Sequence, residues 1–381
     1  MGRVGSDRRY GSDHDARART PVSPVPLVPL VPLVPLVPLL PLPPQPAGVP
    51  WPTREWPKDR PGATVDADRL SSLVDRTFSA PGIDAMGPTN AILAVHGGVL
   101  VTERYGNDTD ADTTLPSWSM AKSILHSLVG VLVDDDRLRV DDPAAMPQWQ
   151  TPGDPRADIT LDHLLHMRPG LRWTEDYVDA TTSDVIEMLF GSGQADVAAF
   201  AAGRPLDHPA GSAYLYSSGT SCIVSALTRQ VVGPPAAYEK FMRESLFDRI
   251  GMRSAVPKFD DAGTWIGSSY CFATARDFAR FGLLQLRGGQ WDGDAVLPRV
   301  WVDHGRTPQA DVDDDGWGYG AHWWMLPGRT DGLFFASGYR GQYLMVVPGL
   351  DLVVLRSGDS EIPQRDAVAG LLGDIVACFA G

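Results

Sequence analysis

The first regular alternation of apolar and polar positions begins after residue 60. Between Asp66 and Phe78, Leu70, Leu73, Val74 and Phe78 recur at helical spacing behind an acidic start, which predicts a helix. Ala91–His96 and Val99–Tyr105 are apolar-rich runs on either side of Gly97-Gly98, a hairpin pattern. From Pro116 to about Leu286 the period is mostly helical, broken by Gly and Pro turns. Strand-like runs return at Leu333–Ala336, Tyr343–Val347 and Leu352–Leu355, and an apolar helix follows over about Asp366–Phe379. Strands at both ends with helices between predict an α+β fold. Its antiparallel sheet is formed by N- and C-terminal segments, flanked by helices, with an inserted and mostly helical region.

The residues before this pattern read differently. Twelve of the 33 prolines fall between Pro21 and Pro50, and Val-Pro-Leu repeats from Val25 to Leu39. The uncharged run Val22–Pro43 is as long as the roughly 20 apolar residues that a membrane span needs. Proline at every third position forbids that helix and favours polyproline II, so no stable membrane span is expected. Asp7, Asp13 and Asp15 among the arginines also make a poor signal peptide. Residues 1–60 therefore read as a disordered, semi-rigid leader, and residues 61–381 as one domain. A ligand for a proline-recognising partner is the sharper reading of the leader.

Composition narrows the classes. Hydrophobic residues make up 43% and charged residues 21%, enough for a sizeable core. With 33 basic against 47 acidic residues and no basic stripe, nucleic-acid binding is not expected. Cys222, Cys271 and Cys378 lie far apart without a C-x-x-C pair, which argues against a disulfide scaffold or a thiolate zinc site. A reducing, cytoplasmic location is the expectation.

Candidate chemistry centres on Ser119-Met120-Ala121-Lys122, which opens a helical run through Ile124, Leu125, Leu128, Val129 and Leu132. Residues i and i+3 share a helix face, so hydroxyl and amine can lie side by side, and a desolvated amine can act as a base. Tyr216, in Tyr214–Ser218, would bring a phenol able to shuttle a proton to a leaving group. Gly338 and Gly341 punctuate the strand-like run near Tyr339, as expected where another backbone approaches closely. A main-chain N–H there, paired with that of Ser119, could form an oxyanion hole.

Other patterns carry less. Asp311–Gly316 mimics the first half of a calcium loop, but its twelfth position is His322 rather than glutamate. His163 and His166 suit one helix face, yet no third ligand stands out, and no metal site is expected. Asp134–Asp136 reads as a solvated helix end. Trp317, Trp323 and Trp324 fit either core packing or a cleft wall.

Taken together, these stretches resemble the β-lactamase-like serine hydrolases: class C β-lactamases, related carboxylesterases and D-aminopeptidases. The similarity is closest to the 6-aminohexanoate-dimer hydrolase group. It rests on Ser117–Ser123, Ile159–Gly170, Tyr216–Ser218, Ala273–Gly282 and Phe335–Val347, in family order across most of residues 61–381. The resemblance implies a β-lactamase/transpeptidase-like fold and Ser119 as nucleophile, with Lys122 and Tyr216 as proton-transfer groups. Which of those two takes the serine proton stays open. It further implies an oxyanion hole from the N–H groups of Ser119 and Tyr339, and substrate contacts from Tyr177, Ser218, Ser337, Gly338 and Trp317. Two departures matter. The K-T-G position of true β-lactamases reads Ala336-Ser337-Gly338, and the tyrosine motif ends in Ser218 rather than asparagine. No S-D-N tripeptide or G-x-S-x-G elbow occurs.

The resemblance therefore implies an amidase or carboxylesterase acting on a small-molecule amide or ester, with β-lactamase activity improbable and no metal or organic cofactor. The competing classes are a catalytically idle, β-lactamase-like binding or scaffold protein, and a transpeptidase-like protein tethered at the cell surface by its leader.

Overall fold

Gly97 and Gly98 both take positive φ (59° and 78°), as a two-residue hairpin turn demands. They fold Thr89–His96 (β1) and Val99–Tyr105 (β2) into the expected hairpin. The computed structural model describes residues 38–106, 108–177, 181–309 and 316–381. The later strands are Gly318–Tyr319 (β3), Trp324–Met325 (β4), Phe334–Gly338 (β5), Gln342–Val347 (β6) and Leu352–Gly358 (β7). They join the hairpin in one antiparallel sheet of order β2-β1-β7-β6-β5-β4-β3. Pairing of β1 with β7, Leu93 opposite Leu355, ties the two ends of the chain together as the α+β reading expected.

Both faces of this sheet are buried, and alternation along each strand decides which core a residue enters. Leu93, Leu344, Val346, Val353 and Leu355 point into one core. Ile92, Met345, Val347 and Val354 point into the other. Helices Ala67–Thr77 (α1) and Arg365–Ala377 (α7) cover the second core with Leu70, Leu73, Val368 and Leu372. The first core belongs to the inserted region. It is packed by Ala121–Asp134 (α2), Leu161–Leu165 (α3), Ser218–Val232 (α4) and Ala275–Leu286 (α5). Arg299–Gly305 (α6) follows α5 and packs Trp301 and Val302 there.

Two expectations need correction. The mostly helical region also holds a small sheet of Thr114–Pro116, Cys271–Thr274 and Val256–Pro257, whose strands are too short to show a period. The leader boundary at residue 60 is also wrong for its last third. Residues 1–37 lie outside the described residues, but 39–60 pack onto the domain, with Leu42 and Trp56 buried in its core. Buried arginines bind the segment's carbonyls. Arg287 donates to Pro43 O at 3.3 Å, and Arg280 to Pro52 O at 2.6 Å and Arg54 O at 3.1 Å. Proline lacks an N–H but keeps its carbonyl, so a proline-rich strap can still satisfy cations.

Candidate active site

Ser119 sits on a strained turn. Trp118 before it takes φ +44°, a left-handed conformation costing a non-glycine residue on the order of 1–2 kcal/mol. A single 3-10 turn, Trp118–Met120, then leads into α2. The turn is anchored on the small sheet: Ser117 N donates to Cys271 O at 2.9 Å, and Cys271 N donates to Ser117 Oγ at 3.0 Å. From the other side β5 comes close. A Cβ on Gly338 would lie 2.5 Å from Ser117 O, so the close approach expected of this glycine is real.

Lys122 is 2% exposed, so its amine must find protein partners. It has three: Ser119 Oγ at 3.0 Å, Ser218 Oγ at 3.1 Å and Ser268 O at 3.0 Å. Its contact with Tyr216 is through the ring face, 4.8 Å from Nζ to the centroid. Ser218 does not line the cleft. It is fully buried at the start of α4, which corrects the expectation that it touches substrate.

Glu175 organises this cluster, and the sequence reading passed over it although it stands two residues before Tyr177. Its Oε1 accepts from Ser218 Oγ at 2.5 Å and from Tyr177 OH at 2.7 Å. Its Oε2 accepts from Ser218 N at 2.9 Å and Trp173 Nε1 at 2.5 Å. A chain of contacts thus runs Ser119–Lys122–Ser218–Glu175. Burial, then the Glu175 carboxylate, push the Tyr177 phenol well above its ordinary range.

His322 was also unforeseen as a partner of Lys122. It is buried, its Nδ1 meets Lys122 O at 3.0 Å, and its Nε2 meets Ser221 Oγ at 3.2 Å. Burial, followed by the proximity of Lys122, pushes its pKa down to about 3, so the ring is neutral. Nδ1 therefore donates to the Lys122 carbonyl while Nε2 accepts from Ser221. The Asp311–Asp315 run lies outside the described residues. His163 is spent on a capping box, its Nδ1 accepting from Thr160 N at 3.2 Å.

A cleft of about 780 Å³ opens over Ser119. Tyr177, Tyr216, Trp317, Ser337, Gly338 and Tyr339 line it, so the remaining residues singled out in the sequence come together. Tyr177 stacks on Tyr339 with centroids 4.5 Å apart, and Tyr339 meets Trp118 edge-on at 5.4 Å. Trp317 satisfies both readings of it, packing edge-on against Phe335 at 5.1 Å while facing the cleft. Trp324 also lines the cleft, whereas Trp323 is core. Arg340 and Arg365 are among the lining residues, whereas Ala336-Ser337-Gly338, at the K-T-G position, carries no cation.

Residues 74–369 match the model of the beta-lactamase family. The chain belongs to the beta-lactamase family. It is 25% identical over 307 residues to a 6-aminohexanoate-dimer hydrolase of Paenarthrobacter ureafaciens, covering 76% of this chain and 77% of that protein. A Bacillus anthracis protein assigned as a 6-aminohexanoate-dimer hydrolase superposes with TM-score 0.68 at 22% identity, covering 84% of this chain and 87% of that one. A penicillin-binding protein homologue from Caulobacter crescentus superposes with TM-score 0.66 at 16% identity, covering 84% and 99%. The fold is that of the β-lactamases and transpeptidases, and the relatives named as enzymes are hydrolases, among them a family VIII carboxylesterase with TM-score 0.63, 13% identity and coverage of 84% and 99%. No helix among the described residues is long and apolar enough to cross a membrane.

Proposed function

We propose that the protein is a serine hydrolase that cleaves a small amide or ester through an acyl-enzyme on Ser119. The observation that carries this reading is the 3.0 Å contact between Lys122 Nζ and Ser119 Oγ at an open cleft.

Hydrogen-bond polarity favours Lys122 as the group that takes the serine proton. The Ser268 carbonyl can only accept, so it fixes one amine N–H. Ser218 gives its hydroxyl proton to Glu175, so towards Lys122 it too must accept. Only the contact to Ser119 can reverse, with the hydroxyl donating to a lone pair on nitrogen. Glu175 acts here as a positioning residue, since it sets the direction of the Ser218 hydroxyl.

In the proposed reaction Ser119 Oγ bonds to the substrate carbonyl carbon while its proton passes to Lys122. Developing negative charge on the carbonyl oxygen is met by the N–H groups of Ser119 and Tyr339. Collapse breaks the bond to the leaving amine or alcohol, which takes a proton through Tyr216. Water then attacks the acyl carbon, releasing the acid and restoring Ser119. Aromatic walls at Tyr177, Tyr216 and Trp317 favour substrates with an apolar body, with Tyr177, Ser337, Gly338 and Trp317 as contacts. Similarity to a 6-aminohexanoate-dimer hydrolase adds short open-chain amides of amino acids to the candidates. Ala336 at the K-T-G position speaks against β-lactams.

A panel of p-nitrophenyl esters, 6-aminohexanoate oligomers and a chromogenic cephalosporin, run beside Ser119→Ala, tests the reading. Turnover of an ester or open-chain amide is expected, falling about a thousandfold or more in the variant. Equal turnover by Ser119→Ala would overturn it.

A further inference from the structure

A second polar cluster lies outside the cleft, where α3, α6 and α2 meet. Asp162 Oδ1 stands 3.1 Å from His166 Nδ1 and 3.3 Å from His304 Nε2, and the three atoms lie within 4.8 Å of one another. None of the three residues lines the cleft. Ligands about 2.0–2.1 Å from a tetrahedral ion are separated by roughly 3.3 Å, so the two shorter spacings already suit such an ion. The remaining pair needs only a modest inward movement.

The surroundings of the cluster resemble those of a metal site. On its far ring nitrogen, Nδ1, His304 meets His126 Nε2 at 3.2 Å. That contact would fix the tautomer that leaves Nε2 free to ligate. The His304 ring is held by Trp301, stacked at 4.7 Å, and by the edge of His166 at 4.9 Å. Two ring nitrogens, His126 Nδ1 and His166 Nε2, are buried with no hydrogen-bond partner. Neither of these two is a candidate ligand atom; they show that hydrogen bonding to the protein does not account for every polar atom of the cluster. Asp162 and His304 keep 40% and 24% of their side chains exposed, so an ion and a completing water can reach the site.

We propose that Asp162, His166 and His304 bind one divalent transition-metal ion of the zinc class, with His126 supporting His304 from behind. Two imidazoles and a carboxylate, without thiolate, suit Zn²⁺ or Co²⁺ rather than Ca²⁺ or Mg²⁺. His166 would ligate through Nδ1, its proton moving to Nε2, in place of its present 3.0 Å contact with the Asp162 carbonyl. The bound ion would clamp α3 to α6 and would take no part in the chemistry at Ser119.

The test uses the full chain without an affinity tag, stripped with a chelator and titrated with Zn²⁺ by equilibrium dialysis. One equivalent per chain is expected, with a raised melting temperature and, for Co²⁺, the intense visible absorption of tetrahedral coordination. Asp162→Asn and His304→Gln should each weaken binding at least about tenfold, and His126→Asn about tenfold through His304. Metal-free melting curves of the variants, matched to wild type, separate lost ligation from lost folding; if one variant unfolds, the others carry the test. Binding that is absent, that exceeds one equivalent without saturating, or that survives both Asp162→Asn and His304→Gln would overturn the proposal.

Discussion

Lys122 and His126 stand one turn apart on α2, and both are buried. Around Lys122 each amine direction meets an oxygen, from Ser119, Ser218 and Ser268, and the chain continues to Glu175. Around His126 the network ends on a bare ring nitrogen, and the adjoining His166 ends on another. The contrast teaches what each cluster is built for. A closed network fixes geometry in advance, which a nucleophile and its base require. Beside that open network Asp162 Oδ1, His166 Nδ1 and His304 Nε2 converge, the arrangement on which the proposed ion rests.

Lys122→Ala separates the two clusters by the widest margin. kcat/KM should fall by about 10³–10⁴, while His126→Asn costs far less, in steady-state assays with the best ester of the panel. Parity between the two variants would remove the distinction. Gly338→Ala comes next. Its Cβ would meet Ser117 O at 2.5 Å, pushing β5 off the Ser119 turn. A loss of about 2 kcal/mol in urea unfolding is expected, with kcat down about a hundredfold.

Glu175→Gln should lower kcat about tenfold and change its pH profile more than KM, because the Ser218 hydroxyl is no longer held in one direction. An unchanged profile would make Glu175 merely structural. A last effect leaves activity at neutral pH aside and concerns pH and stability. The folded pKa of His322, about 3, lies below its ordinary 6.5, so the unfolded chain takes up this proton first. The His322 contribution is therefore full above about pH 6.5 and declines as pH falls towards 3, by at most about 1.4 kcal/mol per pH unit. Unfolding free energies of His322→Asn, measured across that window, should show a slope shallower by one proton.

The residues that could be read in advance are those whose partners lie close in sequence or whose type is itself the message. Ser119 and Lys122 share a helix turn, Gly97-Gly98 announces a hairpin, and Gly338 marks a close approach. The strand runs at 333–336, 343–347 and 352–355 are apolar throughout, as strands buried on both faces must be. Glu175 was missed because the partner that ties it to Lys122, Ser218, stands 43 residues on at the start of α4, and no spacing links the two. Ser268 acts through a carbonyl, which no residue type advertises. His304 lies far along the chain from Asp162 and His166, so the cluster these three form could not be seen in the sequence. The strap at 39–60 was misread because proline content was weighed and Trp51 and Trp56 were not; Trp51 packs on Trp291 at 5.0 Å.

The proposed reaction stands or falls on covalent chemistry at Ser119, which active-site labelling reads out. Incubation of the full chain with a fluorophosphonate, followed by intact-mass and peptide mass spectrometry, should give one adduct per chain on Ser119. That adduct should be absent from Ser119→Ala and form far more slowly in Lys122→Ala. An unlabelled Ser119 in protein that still hydrolyses the substrate panel would contradict it.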